Sequence, residues 1–545
     1  MRTLSLFLFL VSALLPCLSL PLTAAAAREV MTVRGPGLER MPEEAYLSWI
    51  RELSPDPSSA VAITLLEPLD GATLPANAAS PIFSWTSGSS TTLVTLKSDQ
   101  LELKAICIGT SWVPETQAWN RIRNSARGAS ITISAAPVSG DDGRSVLPGT
   151  SAVLNIDAHE LLAPIAYLQL PVPFRTAKRY PQSAQWRKAL VFDDREPQAF
   201  MTDLPVCANC HAYSADGSTM LLDMDIDGDK GGFILADVQP EMAIKRADCR
   251  SWNSLPPTPP SPFSFGLFAR LSSDGNFAAA TVGETSLFVM IDKDDYSQLF
   301  FPVTGQIGIY DRAKNVFAHL PGTTNPAFVH SGPSFSPDGK MIAFSRAPVR
   351  PDYIEAVLNK NVEKESSDTT IHELNTRYPY RFDLYALPFP NPGAQAPTPL
   401  EGASSNGKSN YFPRYSPDGR WILFTQAPTG LVLQPDSRLC IIPATGGKAR
   451  ELKCNTSRMN SWHSWSPDGR WIAFSAKGSE AETEIFLSRF HENGETSRAV
   501  RLHRLSRARH ACVVPEFLPP AAEELRQAGL AFEHKIMVNE KNNTR

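Results

Sequence analysis

The chain has 545 residues, 52 of them basic and 56 acidic, a net charge of −4, and 42% hydrophobic residues. That length exceeds one ordinary core, so two or more domains are expected. No basic block stands out, which argues against nucleic acid as a partner. Beyond the N-terminal leader no stretch is apolar for the ~18 residues a membrane span needs, so no transmembrane span is expected in the mature chain.

The first segment reads as an export signal. Arg2 is followed by an apolar run from Leu4 to Leu22, and then by Thr23-Ala24-Ala25-Ala26-Ala27 before Arg28-Glu29. A basic start, an apolar centre and a small-residue cleavage site predict a signal peptide over 1–27 and a periplasmic or otherwise exported protein. Residues 28–59 read as a linker.

Residues 60–165 carry short alternating runs. Pro81-Ile82-Phe83-Ser84-Trp85, Thr92–Leu96, Leu101–Ile108, Ser130–Ser134 and Ala152–Ile156 are each bounded by turn residues. This spacing predicts an immunoglobulin- or fibronectin-like β-sandwich, with a short helix at its edge through Trp119 and Ile122. No motif in this part carries chemistry.

Cys207-Ala208-Asn209-Cys210-His211 carries more information than any other stretch. It has the form of a covalent c-type haem attachment site, in which two thiols add to the haem and the adjacent histidine supplies a nitrogen to iron. With 8 cysteines and 10 histidines in 545 residues, composition alone yields about 0.002 such matches. A structural zinc site would need a second ligand pair, and a thioredoxin-type redox pair would need a βαβ context; neither is in view. Covalent haem is attached outside the cytoplasmic membrane, so this motif and the export signal reinforce each other.

A repeat follows. Ser336-Pro337-Asp338-Gly339-Lys340, Ser416-Pro417-Asp418-Gly419-Arg420 and Ser466-Pro467-Asp468-Gly469-Arg470 each precede an apolar strand. Ser214-Ala215-Asp216-Gly217 and Ser272-Ser273-Asp274-Gly275 are weaker copies. A strand, an Asp-Gly turn and a second strand make a hairpin, and five such units in about 300 residues predict propeller blades. The units resemble the TolB-type β-propeller, whose blades carry this Ser-Pro-Asp-Gly-Lys/Arg turn. The resemblance covers roughly 205–490. It implies an all-β chain with a propeller, commonly six-bladed, over 166–517 and a tail over 518–545. The sixth blade is expected to close by pairing strands near Ala166–Pro173 and Arg498–Leu505. The 350–377 stretch reads as an insertion. The whole chain, including Pro515-Glu516-Phe517, is similar to a group of exported bacterial proteins that join a sandwich to a TolB-like propeller bearing one CxxCH. That resemblance implies a haem-bearing propeller without a settled reaction.

The repeat also places the motif. His211 stands three residues before Ser214, and His463 three before Ser466, so the two are expected at equivalent places near one channel mouth. His463 is therefore the leading candidate for the second axial iron ligand, with Met220 and Met224 as rivals. Asp223-Met224-Asp225-Ile226-Asp227-Gly228 has the first half of a calcium loop. Its twelfth position is Ile234 rather than glutamate, so an acidic turn is the preferred reading and calcium the weak one. Cys440 and Cys454 lie symmetrically about Gly447 and are expected to form a disulfide. Cys107, Cys249 and Cys512 cannot be paired from sequence.

Three functions fit: a monohaem c-type cytochrome acting in electron transfer or redox docking, with a redox partner protein or a small-molecule donor or acceptor; a haem-dependent enzyme of peroxidase or oxidase type; and a non-catalytic module binding protein, peptide or glycan. Electron transfer ranks first, because the haem motif is the only chemistry the residues name. No catalytic residue can be picked out.

Overall fold

The computed structural model describes residues 28–533, apart from 58–61, 87–88, 140–142, 181–182, 202–210, 258–260, 262, 291–297, 359–369, 391–392, 394, 433 and 478–481. The expected signal, Cys207, Cys210 and the last twelve residues lie outside them. The fold is all-β.

The N-terminal unit has two facing layers. In the larger sheet, strands Glu29–Arg34, Leu101–Ile108, Thr91–Lys97 and Ser130–Ser139 are successive neighbours. Thr150–Ile156 pairs with Ser130–Ser139 and, in parallel, with Ala72–Leu74. Leu65–Glu67, Phe83–Trp85 and Ser111–Trp112 form the smaller sheet. Thr92, Val94 and Leu96 are buried on alternate positions, as the two-residue period of a strand requires. Phe83, Trp85 and Trp112 meet Val94, Leu96, Ile131 and Ile133 in one core. Helix Thr116–Ser125 adds Trp119 and Ile122 to it.

Residues 28–57, expected as part of a linker, instead join the sandwich. Glu29–Arg34 runs parallel beside Leu101–Ile108. Helix Glu43–Glu52 buries Tyr46, whose hydroxyl accepts from Ile106 N–H at 2.8 Å. An edge strand with a single neighbour and little burial leaves no clear alternation to read.

Among the described residues six sheets form the propeller. Blades one to five have four strands each, led by His211–Tyr213, Leu267–Leu271, Phe328–Phe335, Ser409–Tyr415 and Asn460–Trp465. The sixth combines both ends of the unit: His510–Phe517 pairs with Ile165–Pro171, which continues outward to Gln185–Ala189 and Gln198–Met201. The closing partner is thus His510–Phe517 rather than Arg498–Leu505. Val500–Arg501 is instead held as the outer strand of blade five, opposite Phe486 and Leu487. The ring seals where Leu168, Trp186 and Val513 share a core with Met220 and Leu222, and where Ala521 N–H donates to the Asp216 carbonyl at 3.0 Å.

The turn motif works the same way in every copy. The serine hydroxyl donates to the aspartate two residues on, at 2.5–2.6 Å. The same oxygen accepts the N–H five residues on, at 2.9–3.0 Å. The glycine takes φ between +68° and +80°, where a Cβ would be strained. The 350–377 insertion contributes helices Pro351–Leu358 and Ile371–Arg377. They pack with hairpin Ser286–Met290/Gln298–Pro302 in one core containing Leu287, Phe301, Tyr353 and Leu374.

Candidate haem site

Cys207 and Cys210 fall outside the described residues, and His211 is the first described residue after them. His211 opens the inner strand of blade one, opposite Leu222. Its ring is wholly buried, edge-on to Trp186 with centroids 4.1 Å apart and to Tyr213 at 5.7 Å. Among the described residues neither ring nitrogen has a hydrogen-bond partner. Burial pushes its pKa well below the ordinary histidine range, and the nearby Arg270 and Arg414 charges push the same way. The ring is therefore neutral, with a lone pair available to a metal. An unsatisfied buried polar group costs about 1–3 kcal/mol, so this one calls for a partner. Iron would be one.

Aromatic side chains gather at the bulges of the inner strands. In blades two to five the inner strand shifts register at the same place, between Leu267 and Arg270, Ser331 and Ser334, Tyr411 and Arg414, and Ser461 and Ser464. Each bulge holds a residue at positive φ: Phe268 at 58°, Gly332 at 62°, Phe412 at 54° and Trp462 at 46°. Bulky side chains seldom take this conformation, and such strain concentrates at functional sites. Phe268 and Phe412 come from blades that are not neighbours, yet their rings are 5.0 Å apart, so they meet across the mouth. Phe300 lies 6.1 Å from Phe268 and 6.0 Å from Phe288, which in turn lies 6.3 Å from Phe174. Trp462 packs against this cluster and against the core that holds Trp186. In sequence Cys210 precedes Ser214 by four residues, the same offset at which Phe268, Phe412 and Trp462 precede their own serines. Trp462 thus links these rings to the core of Trp186, whose indole packs on His211.

His463 does share the offset of His211, but its ring is engaged. Nε2 lies 3.2 Å from the Leu423 carbonyl, which can only accept, so Nε2 carries the proton. Nδ1 is 3.4 Å from the Thr425 hydroxyl. Burial lowers its pKa to about 3. His463, the expected second-ligand candidate, thus sits in the seam with blade four with both ring nitrogens next to protein oxygens. Met220 and Met224 are wholly buried in the core that includes Trp186.

The acidic stretch is a turn. Asp225 accepts from Gly228 N–H at 2.9 Å, Asp227 pairs with Arg246 at 2.7 Å, and Asp229 accepts from Asn253 at 2.6 Å. Among the described residues no three His, Cys, Asp or Glu side chains are gathered as a metal site.

The expected Cys440–Cys454 bridge is also corrected. Both are free thiols, as are Cys107, Cys249 and Cys512. Cys440 faces Glu451 across the strand pair, so the turn centres earlier than Gly447, and the two thiols enter different cores.

Trp186, the aromatic wall and the charged residues Arg270 and Arg414 were not singled out by sequence, and Glu516 entered only through the Pro515-Glu516-Phe517 stretch. The repeat offset was the available signal: the wall stands four residues before each turn serine and the arginines two before.

No protein-family model matches the chain, and no curated protein matches it. Among solved structures it is similar to TolB from Acinetobacter baumannii, at 13% identity over 71% of this chain and 79% of that one, with a TM-score of 0.38. It is also similar to oligogalacturonate lyase from Vibrio parahaemolyticus, at 12% identity over 55% and 67%, TM-score 0.34. A manganese complex of oligogalacturonate lyase aligns at 14% identity over 52% and 61%, TM-score 0.33. The likeness is one of fold.

Proposed function

We propose that the chain is an exported monohaem c-type cytochrome built on a propeller. The observation that carries this reading is His211: a wholly buried imidazole whose two nitrogens have no partner among the described residues, directly after two cysteines in the haem-attachment spacing. Cys207 and Cys210 would tether the haem and His211 would hold its iron. When bound, the group supplies a one-electron iron couple. Trp186 and Tyr213 fix the imidazole plane from two sides. The aromatic wall of Phe268, Phe412 and Trp462 excludes water from the mouth. The apolar leader supports an exported location, and no helix among the described residues is long and apolar enough to cross a membrane.

Expression with a c-type maturation system tests this. Haem should stay with the protein through denaturing electrophoresis, and Cys207→Ala or Cys210→Ala should remove that stain. Haem fully extracted from wild type by acid acetone overturns the proposal. A low-spin spectrum indifferent to carbon monoxide supports an electron carrier. A high-spin spectrum moves the assignment to a peroxidase- or oxidase-type enzyme.

A second reading, a binding module, is favoured by an open groove of about 740 Å³ at the outer edge of blades one and two. Asp229, Arg250, Asn315 and Phe317 line it, a mixture of charge, amide and aromatic face suited to a small polar ligand.

A further inference from the structure

The groove between the outer edges of blades one and two presents two donors from one bonded relay. Arg250 comes from Cys249–Ser251, the outermost strand of blade one. Asn315 comes from the turn between Gln306–Asp311 and Val316–His319 of blade two, and both residues line the groove. Three acceptors hold the guanidinium in place. Nε donates to the Tyr310 hydroxyl at 3.0 Å, and Nη1 donates to the carbonyls of Ala247 at 2.5 Å and Cys249 at 2.8 Å. None of these acceptors is a carboxylate, and Nη2 has no acceptor among the described residues. Arginine keeps its charge at any ordinary pH, so this is a positioned cation with an open N–H edge. The relay continues through Tyr310. Its oxygen accepts from Arg250 and its proton goes to Asn315 Oδ1 at 2.8 Å. That bond consumes the amide oxygen and leaves Nδ2 as a donor. Both residues bond to the same hydroxyl, so their two open donors are neighbours. Phe317 adds a fixed aromatic wall, its ring 4.6 Å from Tyr310 and 5.6 Å from Trp252 between centroids.

On the reading that this groove is a binding site, we propose that it takes a small organic monocarboxylate. The carboxylate lies on Arg250 Nη2 and Asn315 Nδ2, and an apolar body lies against Phe317. Charge-assisted bonds from a guanidinium are the strong ones, and an acceptor-only group is what two open donors select. Asp229, the other charged residue of the lining, decides between anions. Its Oδ1 accepts from Gly231 N–H at 3.1 Å and from Asn253 at 2.6 Å, so it stays in place as a negative charge. A phosphate dianion would meet more repulsion from it than a monoanion does. The haem assignment plays no part in this proposal.

Calorimetric titration of the full chain with benzoate, benzamide and phenyl phosphate tests it. Benzoate should bind about 10- to 100-fold more tightly than benzamide, the range expected for hydrogen bonds to a charged group. It should also bind more tightly than phenyl phosphate. Arg250→Gln should erase the preference for benzoate over benzamide, with thermal unfolding measured beside it to show that the strand has kept its place. Asn315→Asp is the second variant. It lies in an exposed turn at φ 55°, a conformation aspartate tolerates, so the fold should be unaffected. It replaces a donor by a like charge and should weaken benzoate while leaving benzamide as it was. Benzoate and benzamide binding alike, or benzoate indifferent to Asn315→Asp, overturns the carboxylate and leaves the groove a binding site. Phenyl phosphate binding most tightly overturns the monoanion in the same way. No binding of any of the three overturns both this proposal and the binding-site reading.

Discussion

The Trp186 indole lies edge-on against the His211 imidazole with ring centroids 4.1 Å apart. One residue belongs to the blade that closes the ring and the other to the first blade, so closing the propeller completes the surroundings of the ligand. Trp186→Phe keeps an aromatic ring but withdraws its edge from His211. We expect a loss of about 1 kcal/mol in stability. Covalent haem should persist, while the Soret circular dichroism changes as the imidazole reorients. An unaltered Soret signal would mean that Trp186 does not orient the ligand.

His463 gives a prediction against its first promise. Because its Nε2 proton is held by Leu423, His463→Ala should leave the iron spin state as it is. The cost should be about 1–2 kcal/mol, from a buried hydrogen bond lost, read as a lower urea midpoint. Conversion of a low-spin spectrum to high spin would instead establish His463 as a ligand. If Met220→Ala or Met224→Ala causes that conversion, the ligand is methionine.

Glu284 is wholly buried, with one oxygen accepting from Phe265 N–H at 2.6 Å. Burial pushes its pKa up from 4.5 to about 8. Since the folded value lies above the unfolded one, its contribution to stability is full below about pH 4.5 and is lost as pH rises through about 8. The loss is on the order of 5 kcal/mol. Glu284→Gln should keep the Phe265 bond and flatten the profile of urea midpoint against pH in that window. A profile equally steep in the variant would show that Glu284 is not the titrating group.

Arg501 joins the two units. It donates to Glu67 of the sandwich at 2.7 and 2.8 Å and to Glu484 of blade five at 3.0 Å. Arg501→Ala leaves the Glu484 carboxylate buried without its cation, at a cost of about 3–5 kcal/mol. Adding Glu484→Gln should recover part of that loss. The check is denaturant unfolding followed by tryptophan fluorescence and circular dichroism. We expect their transitions to separate once the sandwich is released from the propeller. Coincident transitions in the single variant would deny Arg501 that coupling role.

The sequence by itself determined the all-β class, the five repeated turns and the CxxCH spacing. These are local: each turn is built within six residues, from serine to accepted N–H, and a haem-attachment motif spans five. Tertiary structure decided what depends on distant partners. Strand His510–Phe517 became the closing element because Ile165–Pro171, more than 300 residues earlier, offered it a free edge. Residues 28–57 became part of the sandwich because Tyr46 found Ile106 across it. Cys440 lost its expected partner because register is set by the whole blade rather than by one glycine. His211 and His463 share an offset from their turns, yet one ring was left unpartnered and the other satisfied. Which atoms face a side chain is a property of the neighbouring blade, and no spacing within the chain encodes it.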